Sequence, residues 1–316
     1  MFRFLSLLLM TFALCALTAQ AQKLNSAKEY QNRGLERQER GDLSGAIADY
    51  DNAISLDPTM VEAYNNRGNA RLLQGDTAGA IEDYGKVIKL NPRDVMAYYN
   101  RGTAYLTKGD YDAAIEDFTT SIELVPVLTN GFLNRGNARR AKGDMDGAIA
   151  DYTKAIETQP SAPEAYYDRG TVLMEKGDVE GALADLTKAI ERDPNAASAY
   201  VNRANVWQAK GDLQKALADY DKAVELSNDD PVMYYSRATA YQKMNRLKEA
   251  ESDYNKALTL DPKMAQAYVN RGVIRLLLGR VAEADNDFAT GFRLDPSLKP
   301  QFEKFILETK RRREKK

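Results

Sequence analysis

Two charged columns run through the chain. Arginine recurs at Arg33, Arg67, Arg101, Arg135, Arg169, Arg203, Arg237 and Arg271. Aspartate recurs at Asp49, Asp83, Asp117, Asp151, Asp185, Asp219, Asp253 and Asp287, and the step in both columns is 34 residues. A guanidinium and a carboxylate can pair through two parallel hydrogen bonds. Eight such pairs could form a charged ladder that holds a ligand, or eight partly buried ion pairs inside the fold. The second use is expected, because both columns are filled in every copy while neighbouring columns vary. Removing one partner of a buried pair would strand a charge.

Amides supply a second set. One column reads Asn32, Asn66, Asn100, Asn134, Asp168, Asn202, Ser236, Asn270. An amide both donates and accepts, which suits the backbone of an extended peptide. Two further columns alternate. The first reads Gln31, Asn65, Tyr99, Leu133, Tyr167, Val201, Tyr235, Val269, and the second Leu35, Asn69, Thr103, Asn137, Thr171, Asn205, Thr239, Val273. Duplication of a 68-residue doublet would give this alternation. So would a groove of tyrosine platforms and amide clamps.

Catalytic chemistry has little to work with. The chain has no histidine and one cysteine, Cys15, so the commonest general base and the thiol nucleophile are missing from the repeats. No carboxylate spacing marks an acid–base pair. Asp144-Met145-Asp146-Gly147 matches part of a calcium loop but lacks the third acidic ligand and the closing Glu. Its aspartate is better placed as a helix cap. Trp207 replaces the arginine found at Arg71 and Arg139 and is expected to pack. The expectation is a non-enzymatic protein without cofactor or metal. With 44 Lys plus Arg against 46 Asp plus Glu, the charge balance does not suggest a nucleic-acid partner.

The elements that position these columns follow from the second copy. Helix A spans about Glu62 to Gln74. Gly75 can take the left-handed conformation that ends a helix, and Asp76 can cap the next. Helix B runs to about Leu90, where Pro92 stops it. Ala80, Ile81, Tyr84, Val87 and Ile88 recur with the helical period of one buried face. In an antiparallel pair, facing residues have a nearly constant index sum. That arithmetic sets Arg67 opposite Asp83 and Tyr84.

With a 34-residue period, Gly68, the Gly75-Asp76 turn, Ala80, Tyr84 and Pro92, the chain resembles the tetratricopeptide repeat (TPR) family. The departure is Arg67, where the family more often has Leu. The resemblance covers 27–298 as eight repeats. It implies an all-α, right-handed α-solenoid of antiparallel helix pairs, with A helices lining a concave groove that contacts partners. Carried onto this chain, the groove residues are Asn66, Asn69, Asn100, Asn134, Asn137, Asn202, Asn205 and Asn270, with Tyr99, Tyr167 and Tyr235. Family members that grip a chaperone carboxylate place Lys in the Asn65 column, which no copy here does.

The two ends differ from the repeats. Residues 1–21 combine Arg3, the apolar run Phe4 to Leu17 and Ala19-Gln20-Ala21, the pattern of a cleaved signal peptide. A short lead, 22–26, follows. The chain is therefore expected to be exported, periplasmic or secreted. Residues 299–316 are expected to form a capping helix through Phe302, Phe305 and Ile306, ending in a basic tail: Lys310, Arg311, Arg312, Arg313, Lys315 and Lys316. Residues 297–316 carry a net +5.

Two readings follow. One is an exported interaction scaffold that binds a peptide or protein in its groove. The other is a peripheral envelope platform docked on an anionic surface by the tail. A weak point is expected at Ser227-Asn228-Asp229-Asp230, which lacks the usual proline, and at Asn245-Arg246, which replaces Gly-Asp.

Overall fold

Each turn from helix A to helix B has the same pair of backbone hydrogen bonds. In the second repeat Gly75 has φ 89°. The Gly75 N–H donates to Leu72 O at 3.1 Å and the Asp76 N–H to Arg71 O at 2.8 Å, so the last carbonyls of helix A are satisfied. The Asp76 carboxylate then accepts from Gly79 N–H at 2.9 Å and opens helix B. In the seventh repeat Asn245 stands in the glycine's place at φ 57°. Asparagine is among the few residues that tolerate this region. Arg246 follows as N-cap without a side-chain capping bond; its Nε donates to Glu249 instead.

The computed structural model describes residues 26–314, and the signal-peptide segment 1–21 lies outside them. Two units result, divided between Pro160 and Ser161. The described part of the first contains α1 (26–39), α2 (Leu43–Leu56), α3 (Val61–Gln74), α4 (Thr77–Leu90), α5 (Val95–Lys108), α6 (Tyr111–Leu124), α7 (Thr129–Lys142) and α8 (Met145–Thr158). The second contains α9 (Pro163–Glu175), α10 (Val179–Arg192), α11 (Ala197–Ala209), α12 (Leu213–Leu226), α13 (Pro231–Lys243), α14 (Leu247–Leu260), α15 (Ala265–Leu277) and α16 (Val281–Leu294). A 3-10 turn, Pro296–Leu298, and α17 (Lys299–Glu314) close it. Each unit is a run of four antiparallel helix pairs, and no strand occurs among the described residues. The fold is an all-α repeat solenoid.

The core is a repeated sandwich of small and aromatic side chains. Ala46, Ala80, Ala114, Ala148, Ala182, Ala216, Ala250 and Ala284 are all fully buried. So are Tyr50, Tyr84, Phe118, Tyr152, Leu186, Tyr220 and Tyr254 in helix B. Gly68 makes room for one of these rings: a Cβ there would sit 2.8 Å from the Tyr84 ring. Ala204 and Ala238 take the glycine's position above Tyr220 and Tyr254, which stay buried.

The Ser227–Asp230 link keeps the common geometry. Ser227 N–H bonds Ala223 O at 3.0 Å, as Asn91 N–H bonds Val87 O in the second repeat. The Tyr234 hydroxyl donates to Asn228 O at 3.1 Å. One apolar cluster joins Tyr220, Val224, Met233 and Ala240 across the link.

Candidate interaction surface

All eight Arg–Asp pairs form inside their own hairpins, each through two guanidinium nitrogens. Arg101 Nε and Nη2 lie 2.8 and 2.8 Å from the Asp117 oxygens, and Arg203 bonds Asp219 at the same distances. Arg33–Asp49, Arg67–Asp83, Arg135–Asp151, Arg169–Asp185, Arg237–Asp253 and Arg271–Asp287 repeat the fork. The carboxylates are buried. The expected intra-repeat pairing is what the structure shows.

The arginines do more than pair. Arg67, Arg135, Arg203, Arg237 and Arg271 each donate Nη1 to the preceding B helix, at Asp51, Thr119, Thr187, Asp221 and Asn255. Each guanidinium therefore ties one hairpin to the one before it. The aromatic residue one turn earlier stacks on it: Arg67 lies 5.5 Å from the Tyr64 ring centre and Arg271 5.4 Å from Tyr268. A second arginine shares the carboxylate in four repeats, at Arg37, Arg71, Arg139 and Arg275. The hydrogen bond from Arg33, with the charge of Arg37 beside it, holds the Asp49 carboxyl below its ordinary range. Asp117 has only Arg101, since Tyr105 fills the second position, and burial raises its pKa.

The amides have structural partners too. The buried hydroxyls of Tyr84, Tyr152 and Tyr220 donate to Asn69, Asn137 and Asn205 at 2.7, 2.7 and 2.5 Å. Tyr50 and Tyr254 donate instead to Gln38 and Gln242, at 3.0 and 2.9 Å. Where helix B carries Phe118, Leu186 or Phe288, helix A has Thr103, Thr171 or Val273. The alternation thus has a chemical basis: a buried hydroxyl requires an acceptor.

The other amide column reaches backwards across the repeat junction. Asn134 donates to the Tyr99 hydroxyl at 2.8 Å, Asn270 to Tyr235 at 3.2 Å, and Asn202 to Thr171 Oγ1 at 3.1 Å. Asn100 approaches Asn69 at 3.5 Å. Burial raises the Tyr99 and Tyr235 pKa values, and the amide donors offset part of that. Tyr99 also meets Phe118 edge-on at 5.8 Å. Tyr167 lines a small pocket of about 140 Å³ with Glu164 and Asp193. Asn66 is half-buried, and the Asn65 Oδ1 beside it is buried without a partner.

Sequence profiles confirm what the period implies. Profiles described as tetratricopeptide repeat match residues 95–126, 167–231 and 231–264, and one described as TPR repeat matches 34–75, 68–109 and 136–177. The chain belongs to the tetratricopeptide repeat family. No curated protein matches it. The crystal structure of MamA is similar at 29% identity, covering 52% of this chain and 96% of that one, with a TM-score of 0.50. A TPR protein from Parabacteroides merdae matches 82% of this chain and 99% of its own at 19% identity and TM-score 0.63. PilF of Pseudomonas aeruginosa matches 71% and 99% at 16% identity and TM-score 0.57.

On this TPR scaffold the exposed apolar side chains were the features sequence reading missed. Leu35, Leu73 and Met96 are exposed side chains of the A helices, with Leu73 68% and Met96 52% exposed. Val232 and Leu277 hold equivalent positions in the second unit. The available signal was a large apolar residue outside the buried period. Half-buried Tyr99 and Leu133 lie on the same face.

The basic tail divides into two sets. Lys310 pairs with Asp285 at 2.5 Å, and Arg313 donates to Leu277 O at the end of α15. These two charges fasten α17 to the last repeat. Arg311 and Arg312 are exposed, while Lys315 and Lys316 lie outside the described residues.

Proposed function

We propose that this protein is an exported, non-enzymatic interaction scaffold whose A-helix face receives an extended segment of a partner protein. The observation that carries the reading is the row Leu35, Leu73 and Met96. These side chains stay exposed on the A helices. Exposed apolar residues beside hydrogen-bonding amides are what a peptide groove needs, since side chains fill the apolar steps and amides meet the backbone. The oxygens of Asn69, Asn137 and Asn205 already accept from tyrosines, so the apolar row and the Tyr99–Asn134 edge are placed at the centre of the contact. Export is supported by the charge, apolar run and small residues of 1–21. Within the basic tail Lys310 and Arg313 are held by the protein itself, which leaves Arg311 and Arg312 as its remaining basic charges, both exposed, among the described residues.

The test is in-cell photo-crosslinking from position 73 or 96, with the captured chain identified by mass spectrometry. A discrete adduct that disappears in Leu73→Glu with Met96→Glu, while the circular dichroism spectrum is kept, supports the reading. Equal adducts from Glu82, on α4, would overturn it. Intact-mass measurement of the exported protein tests cleavage after Ala21.

A further inference from the structure

Helix α17 is in register with the A helices. It begins at Lys299, 34 residues after α15 begins at Ala265, and Phe302 follows Tyr268 by the same interval. It also packs as an A helix does. Phe302, Ile306 and Leu298 cluster with Val269, Val273 and Phe288 of the last repeat, just as Tyr268 and Met264 cluster with Tyr254 and Leu258. Among the described residues, however, no helix folds back over α17. The positions that meet helix B in the last complete hairpin are Arg271 and Arg275, both bonded to Asp287. One period on, they become Phe305 and Thr309. Phe305 is 39% exposed. With Leu277, Thr309, Arg312 and Arg313 it lines an open pocket of about 390 Å³. The seat of a B helix is thus present, with an apolar floor and an arginine rim.

We propose that this seat takes an acidic amphipathic helix from a partner protein, lying antiparallel on α17 as α16 lies on α15. Charge selects the occupant. Arg312 is 82% exposed and reaches only Glu308, at 3.9 Å; Arg311 beside it is exposed as well. Two copies of α17 face to face would set these arginines against each other, and like charges disfavour that pairing. A membrane surface is a poor match, because Phe305 and Leu307 point from opposite flanks of the helix and make no continuous apolar face. In the last complete repeat the B helix brings its carboxylate to the positions that Phe305 and Thr309 fill here, so on α17 the charge offered to an acidic helix is that of Arg312, at the rim.

The experiment titrates the full chain into a fluorescein-labelled peptide with the sequence of residues 110–124, an acidic B helix with its cap. Saturable binding is expected, with none for a scrambled peptide of the same composition. Phe305→Glu should weaken it by about tenfold or more, as loss of a central apolar anchor does. Arg312→Glu should weaken it as well. Phe302 and Ile306 hold α17 in place, so circular dichroism should be unchanged in both variants. Three outcomes overturn the proposal: no saturable binding, binding indifferent to Phe305→Glu, or Phe305-dependent sedimentation with phosphatidylglycerol vesicles while the peptide does not bind.

Discussion

Tyr220 donates its buried hydroxyl to Asn205 at 2.5 Å, although Gln208, one turn further along α11, also carries an acceptor. The Gln208 Oε1 is buried and has no partner. Repeats one and seven use the glutamine, at Gln38 and Gln242, and repeats two and four use the asparagine, at Asn69 and Asn137. The sixth repeat has both acceptors for one hydroxyl. Asn69→Ala is therefore expected to cost about 1–3 kcal/mol by orphaning the Tyr84 hydroxyl. Asn205→Ala should cost clearly less, because Gln208 can accept instead. Urea denaturation of the two variants checks the difference, and adding Tyr84→Phe to Asn69→Ala should recover most of the loss.

The arginine partners predict a second inequality. Arg135→Ala leaves Asp151 bonded to Arg139 at 2.8 Å. Arg101→Ala leaves Asp117 with no cation, since Tyr105 occupies the equivalent position. Stranding a buried charge costs about 3–5 kcal/mol, so Arg101→Ala should approach that range and Arg135→Ala should fall well below it. Equal unfolding midpoints would show that the second arginine contributes nothing.

These two cases separate what could be read in the sequence from what could not. The Arg–Asp pairing was legible because an antiparallel hairpin fixes the index sum, and the same arithmetic brought Arg67 to Asp83. The duty of Asn69 was not, because its partner's relevant atom is one hydroxyl on the next helix. It shows only when the Asn69 and Tyr84 columns are compared together, with Phe118 and Leu186 as the exceptions. The place of α17 was hidden by chemistry. Phe305 breaks the arginine column, so the helix reads as an unrelated cap although Phe302 keeps the period.

Alkaline pH should unfold the protein through its buried phenols. Burial, with help from the Asp49 charge, pushes the Tyr50 hydroxyl up to about 12. Burial likewise raises Tyr84, Tyr220 and Tyr254. A folded-state pKa above the unfolded one means that the fold favours the neutral phenol. The associated stability is fully present below about 10, the ordinary tyrosine value, and is lost as pH rises towards the folded value. Phenolate absorbance and circular dichroism should change together in that window. Early titration of these tyrosines with the helices intact would contradict their burial.

Gly85 marks a missing tie. In five other repeats the residue at its position is Asp51, Thr119, Thr187, Asp221 or Asn255, and each accepts from the arginine of the following repeat. Gly85 offers no side chain, and a Cβ there would sit 3.7 Å from Arg101 Nη1 with no closer contact. Gly85→Asp should therefore stabilise the protein by about 0.5–1 kcal/mol, from better helix propensity and a new exposed pair. Gly85→Ala isolates the propensity part. Salt should shrink the gain of the aspartate variant and leave that of the alanine variant unchanged, because only the first rests on charge. If the two respond alike to salt, Arg101 does not reach across the junction, and the ties in the other repeats must be judged by the same substitution.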